Sequence, residues 1–279
     1  MKFLGEGFFI KAWLYISVII VLTVTSYIIF HIFIRGWSSL SLDFLLASPA
    51  GMPLGTEGGI LPAIMGTLAL GAVSITVASF LGVATATYQF LFCRNLWIKS
   101  GIRIVIQCIA GIPSIVLGLF GYTFFVVSLA MGYSLLAGGL TLGIMIFPVV
   151  AVNTEKALAE TNQNQILSSY ALGVSKAYTF FGIMLPQTKK DIISGILLAV
   201  VFAMGATAPI MLTAAVLSAS APTSLSKPVM ALPYHLYILA SQRLSVDHAY
   251  GTALVLLLIL LSVYALVATI FTGKSSDNL

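Results

Sequence analysis

Apolar residues run through this chain in long blocks, with neither a one-sided helical stripe nor strand alternation. A bilayer-crossing helix needs roughly 17–25 mostly apolar residues. Six segments reach that scale: Ala12 to Ile34, Ile60 to Phe92, Ile104 to Ala130, Leu135 to Val152, Ile192 to Leu217 and Tyr250 to Phe271. Pro113, Pro148 and Pro209 fall inside them, and each removes a backbone donor and kinks or breaks a helix. In lipid the freed carbonyls must find protein partners or a wet path. Gly139 to Gly143 forms a GxxxG step, which reads as a close helix–helix contact. Three polar connections separate the blocks. The first runs from Arg35 to Gly59 with turn-forming residues Ser48 to Pro53, and the second from Asn153 to Lys190. The third runs from Ser218 to His248 and holds an apolar patch, Leu232 to Leu239, that suits an interfacial or re-entrant helix.

Composition narrows the class. Of 279 residues, 59% are hydrophobic and 8% charged, and the mean hydropathy is +1.09. No Lys, Arg, Asp or Glu occurs between Arg103 and Glu155, or between Asp191 and Lys227. A soluble enzyme, a disordered chain and a nucleic-acid binder are thereby excluded. The net charge of +5 reflects topology. Placing alternate connections on one side gathers Lys2, Lys11, Arg94, Lys99, Arg103, Lys156, Lys176, Lys189, Lys190 and Lys274, and leaves Arg35, Lys227 and Arg243 opposite. This positive-inside bias places both termini in the cytoplasm. The first apolar block is longer than a signal-peptide core and lacks a small-residue cleavage site, so it reads as a retained helix. The expected organisation is an all-α polytopic membrane protein. Its parts are a first helix and outer loop (1–59), a transmembrane domain (60–272) containing a cytoplasmic loop (155–190), and a tail (273–279).

Catalytic chemistry finds little support. Cys93 and Cys108 read as reduced buried or interfacial thiols. His235, His248 and Asp247 are metal-donor types without a ligand spacing, and a solvated loop suits them better. No GxxxxGK[ST] occurs, so any nucleotide hydrolysis belongs to a partner.

The cytoplasmic loop is the most informative stretch. From Ile166 it reads ILSSYALGVSKAYTFFGIMLPQTKK: a helix, a joint at Gly173, a second helix, and Pro186 restarting the next span. Tyr170, Ala171, Val174, Tyr178 and Phe181 offer an apolar face to a soluble partner. Gly173, Ile183, Leu185 and Pro186 are spaced as in the EAA loop of ABC importer permeases, and the loop resembles it. Leu167-Ser168-Ser169 stands where that loop begins Glu-Ala-Ala. Further segments are similar to phosphate importer permeases, A-type subunit. They are Ile112 to Gly121 (IPSIVLGLFG), Gly205 to Pro209 (GATAP), Ala249 to Leu256 (AYGTALVL), Pro62 to Leu68 and Leu232 to Tyr237.

The resemblance implies a six-helix, MetI-like type I importer fold in a bacterial or archaeal inner membrane, with no cofactor in this chain. It also implies a homologous second permease, cytoplasmic ATP-binding subunits carrying ATP and Mg, and an extracytoplasmic phosphate-binding protein. The coupling loop would use Leu167, Ser168, Ser169, Gly173, Tyr178, Phe181, Ile183, Leu185 and Pro186. Where the family usually carries an Arg and a Glu, this chain has Phe202 and Ala206, so both halves of an ion pair are missing together. Removing both costs far less than removing one. The substrate path is left with backbone amides at broken helix ends and neutral polar groups, for which Gln107, Ser114, Thr207 and Pro209 are candidates. Ser74, Thr76 and Ser79 line part of the second helix, and each single hydroxyl more commonly bonds its own helix. The cargo the resemblance implies is phosphate, or else another oxyanion such as molybdate, tungstate or sulfate. A non-transporting sensor or scaffold would keep the same fold.

Overall fold

The computed structural model describes residues 3–52, 55 and 57–272, with side chains over 10–52, 55 and 57–269. Lys2, Pro53, Lys274 and the expected tail 273–279 lie outside the described residues. Helix α1 is Phe3–Trp37, and Ser41 caps the short α2, Leu42–Leu46, by accepting from Phe44 N. Two two-residue strands, β1 Pro49–Ala50 and β2 Glu57–Gly58, pair antiparallel with Pro49 opposite Gly58. Helix α3, Leu61–Thr87, starts with Pro62 in its first turn and continues as a wide π turn, Tyr88–Phe92. Helix α4 is Leu96–Gly111. Helix α5, Ser114–Gly121, again runs into a π turn, Tyr122–Ser128. Helix α6 is Leu135–Ala159 and carries Pro148 in its interior. Then follow α7, Gln163–Ala171, α8, Lys176–Thr179, and a third π turn, Phe180–Met184. Helix α9 is Leu185–Met204, α10 Ala208–Thr213, α11 Leu232–Ser241 and α12 Val246–Thr272.

Among the described residues, four stretches are long and apolar enough to cross a membrane: Ile10–Trp37, Leu61–Phe92, Leu135–Ala159 and Val246–Thr269. The segment expected over Ile104 to Ala130 is not one straight helix. It is α4 and α5 joined at Ile112-Pro113 through a bend of 100°, and the pair makes a fifth span if counted as one. Pro113 lacks the N–H that would continue α4 and itself starts α5, its carbonyl accepting from Val116 N at 2.9 Å. The segment expected over Ile192 to Leu217 is also divided. It begins at Leu185 with Lys189, Lys190 and Asp191 in its first turns, stops at Met204, and resumes as α10 behind Gly205-Ala206-Thr207.

The core lies between α3 and α6. Lipid is as apolar as a leucine side chain, so close packing rather than transfer from water must hold these helices together. A Cβ on Gly139 would come within 2.3 Å of Val73 Cγ1, and one on Gly143 within 2.9 Å of Val77 Cβ. The GxxxG step therefore receives a pair of valines likewise four positions apart, one ridge in one groove. Leu142, Ile146, Val150, Ala199, Ala203 and Ile210 join the cluster from α6, α9 and α10, with Leu70 and Ala78 from α3. Pro148 is buried in α6 without ending it. Toward its second half helix α1 meets the body, where Gly36 lies against Leu254 and His31 Nε2 is 3.3 Å from Tyr250 Oη.

Candidate functional site

Three places carry polar or broken backbone: the α7–α8 loop at one end of the bundle, the two helix breaks within it, and a cap at the opposite end.

In the loop, Asn162 Oδ1 accepts from Asn164 N at 2.9 Å to start α7. Gly173 ends it with φ +76°. Val174 N donates to Ser169 O and Gly173 N to Tyr170 O, the paired bonds of a left-handed helix stop, which glycine adopts without a Cβ clash. Ser175 Oγ caps α8 by accepting from Tyr178 N. The buried hydroxyls of Ser169 and Thr179, 2.9 Å apart, tie α7 to α8. Ile166, Phe180 and Met184 pack on Leu91 and Leu158, fastening the loop to the ends of α3 and α6. Left outside are Leu167, Leu172 (83% exposed) and Tyr178 (66% exposed). A groove of about 540 Å³ is lined by Ser168, Ser169, Leu172, Val174, Ile183 and Gln187 among others. Gln187 Nε2 donates to Gln165 Oε1 at 2.6 Å along it. Phe181 and Leu185 instead line a second groove against α3, and Pro186 sits in the first turn of α9.

The helix breaks meet. A Cβ on Gly118 of α5 would lie 2.8 Å from Pro209 Cα and 3.1 Å from Ala208 O, so only glycine lets α5 touch the start of α10. Beside this contact is a cavity of about 370 Å³ whose walls include Ser114, Val201, Phe202, Gly205, Ala206 and Tyr264. Its lining residues, completed by Met145 and Leu198, carry no charge. Ser114 and the Phe202/Ala206 pair thus come together, Thr207 follows Ala206 in the chain, and Pro209 is buried against Gly118 without lining the cavity. Gln107 does not line this cavity; it is exposed on α4, beyond the bend. Ser74 and Thr76 bond their own helix, to Gly71 O and Ala72 O, and Ser79 lines the groove against α3.

At the opposite end, the first turn of α6 is capped by a distant loop, Leu135 N donating to Lys227 O and Leu136 N to Leu225 O, while Ser134 N, just before the helix, donates to Thr213 O at the end of α10. Leu232 N donates to Thr67 Oγ1 at 2.8 Å. The patch around Leu232 forms α11, ten residues long and too short to span. His235 on it is only 6% exposed, which corrects the expectation of a solvated loop. Burial, reinforced by the charge of nearby His248, lowers its pKa from 6.5 to about 4, so it is neutral near pH 7. His248 Nδ1 lies 3.0 Å from Gly55 O, and no group of three metal-donor side chains occurs among the described residues.

Two contacts escaped the sequence reading. Arg103 Nη2 pairs with Glu155 Oε1 at 3.0 Å; these are the two charges that bound the uncharged run, a signal visible beforehand. Lys176 Nζ donates to Leu91 O, for which the sequence holds no cue.

Residues 78–273 match the sequence profile of the binding-protein-dependent transport system inner membrane component family. A probable phosphate transport system permease protein PstA of Methanocaldococcus jannaschii is 36% identical over 211 residues, covering 75% of this chain and 74% of that protein. Phosphate transport system permease protein PstA 2 of Mycobacterium bovis is 36% identical over 211 residues, with 74% and 69% covered. An inward-facing MetNI methionine ABC transporter chain superposes with a TM-score of 0.66 at 15% identity, covering 77% of this chain and 95% of that one.

Proposed function

Because the chain belongs to the inner-membrane components of binding-protein-dependent transport, and among them to the phosphate permease type, we propose that it is the translocating subunit of an ATP-driven phosphate importer. The observation that carries this reading is the course of α9. It starts at Leu185 beside the α7–α8 loop and ends at Met204 beside the uncharged cavity, a rod about 30 Å long. A tilt imposed on the loop reaches the cavity wall directly. The α7–α8 loop docks on a cytoplasmic ATP-binding subunit, which supplies ATP and Mg; this chain needs no cofactor of its own. The cavity faces a homologous second permease, and the cap around α11 receives an extracytoplasmic phosphate-binding protein. Six crossings, with α4–α5 and α9–α10 counted as one each, leave both termini in the cytoplasm of a bacterium or archaeon.

The anion crosses without a full counter-charge from this chain. Ser114 Oγ, the first amides of α5 and Thr207 supply dipoles at the breaks, the usual means by which interrupted membrane helices hold charge. Phe202 and Ala206 in the cavity wall favour a second reading, in which the cargo is molybdate, tungstate or sulfate. Uptake of radiolabelled phosphate into vesicles holding the assembled complex and ATP separates the two. Saturable uptake resistant to molybdate and sulfate is expected; uptake abolished by either competitor would shift the assignment to that anion. No uptake by an assembled complex would mean the fold serves signalling.

A further inference from the structure

We propose that the groove between the last turns of α3 and the α8 segment is a binding site for an anionic phospholipid, with an acyl chain against α3 and the phosphate at Lys176. The groove measures about 650 Å³, inside the roughly 300–1,000 Å³ typical of small-molecule sites. Phe80, Val83, Tyr88, Phe92, Phe180 and Phe181 form most of its walls, and no acidic residue lines it. Two π turns, Tyr88–Phe92 and Phe180–Met184, both contribute to its walls. Such turns widen a helix by one residue per turn and recur at functional sites.

Depth and charge argue for a lipid. The α3 wall runs from Ser79 to Phe92, about 20 Å at 1.5 Å per residue, which is about half the 40–45 Å thickness of a bilayer with its headgroups. At the Phe92 end, Lys176 Nζ donates to Leu91 O and stands 5.6 Å from the Phe92 ring centroid. An ammonium has three N–H donors, so the bond to Leu91 leaves it able to hold a phosphate oxygen. Arg94, a second cation, comes two residues after Phe92 in the sequence. An apolar slot with a cation at headgroup depth on the cytoplasmic side is the physical description of an anionic-lipid pocket. An apolar helix of a second permease would fill the slot but bring no negative charge to the ammonium.

The inference rests on the cytoplasmic placement of the α7–α8 loop. Its test uses the assembled complex in phosphatidylcholine nanodiscs containing a minor fraction of phosphatidylglycerol, with co-retained lipid read by native mass spectrometry. Phosphatidylglycerol enriched over its bilayer fraction is expected. Lys176→Gln keeps a donor for Leu91 O but removes the charge, and should cut that enrichment about fivefold, the worth of one cation at an anionic surface; Lys176→Arg should restore it. Ala84→Trp, which fills the slot, should abolish retention of both lipids. Absent enrichment, enrichment indifferent to Lys176→Gln, or cross-linking of Phe80→Cys to the second permease would overturn the proposal. Cross-linking of Leu172→Cys to the ATP-binding subunit in the same preparation scores the placement of the loop separately.

Discussion

His235 shows what burial does to a single residue at the cap end. Its neutral form is favoured because the imidazolium would lose its hydration among Leu232, Ile238 and Leu239. The folded pKa of about 4 lies below the ordinary 6.5. A loosened cap therefore takes up a proton that the packed cap refuses, and stability is lost as pH falls from about 6.5 toward about 4. The thermal midpoint of the purified complex should drop across that window, and His235→Asn should flatten the drop. Gly66 tests packing at the same end: an added Cβ would sit 1.9 Å from Met230 O, a backbone atom that cannot swing away. Gly66→Ala should cost about 1–3 kcal/mol and lower the midpoint by several degrees. Gly101→Ala, with nothing within 4 Å, should hold or raise it. Gly139 and Gly143 could be recognised in the sequence because the motif needs only its own spacing. His235 could not, since Gly55, far away in sequence, lies against its ring.

At the level of elements, the α7–α8 loop was legible because its signals are local: a glycine stop, a serine cap and a proline start. Gly173→Pro would force φ from +76° to about −65° and delete the donor to Tyr170 O. Substrate-stimulated ATP hydrolysis by the assembled complex should fall to its basal rate while the complex stays intact; stimulated hydrolysis at the normal rate would separate this loop from coupling. The 100° bend between α4 and α5 was hidden for the opposite reason. An uninterrupted apolar run satisfies a straight helix and a broken one alike, and only Pro113 hinted at the difference. Likewise Pro209 marked a break in the fifth segment, while its contact with Gly118 depends on two helices distant in sequence.

For the whole molecule, hydropathy gave the membrane class and the approximate segments, whereas the grouping of breaks, loop and cap comes from packing between segments. The candidate path residues divide along this line. Ser114 joins Ala206 because α5 and α10 touch, and Gln107 is carried away by the bend. Sidedness is checked with Cys93 and Cys108 replaced by serine. Lys227→Cys should react with a membrane-impermeant maleimide in intact cells, and Leu172→Cys only in inverted vesicles; the reverse pattern would invert the topology.

The carbonyls of Leu225 and Lys227 complete the first turn of α6, and this has a mechanical consequence. Amides at a helix start are normally answered by neighbours in sequence or by water. Here they are answered by a loop some ninety positions further on. That loop cannot swing like a hinged lid without stripping partners from the central helix. Force applied there by an arriving protein is borne by α6 as by the handle of a tool, and a single proteolytic nick between Leu225 and Lys227 would loosen the grip while sparing every contact in the core.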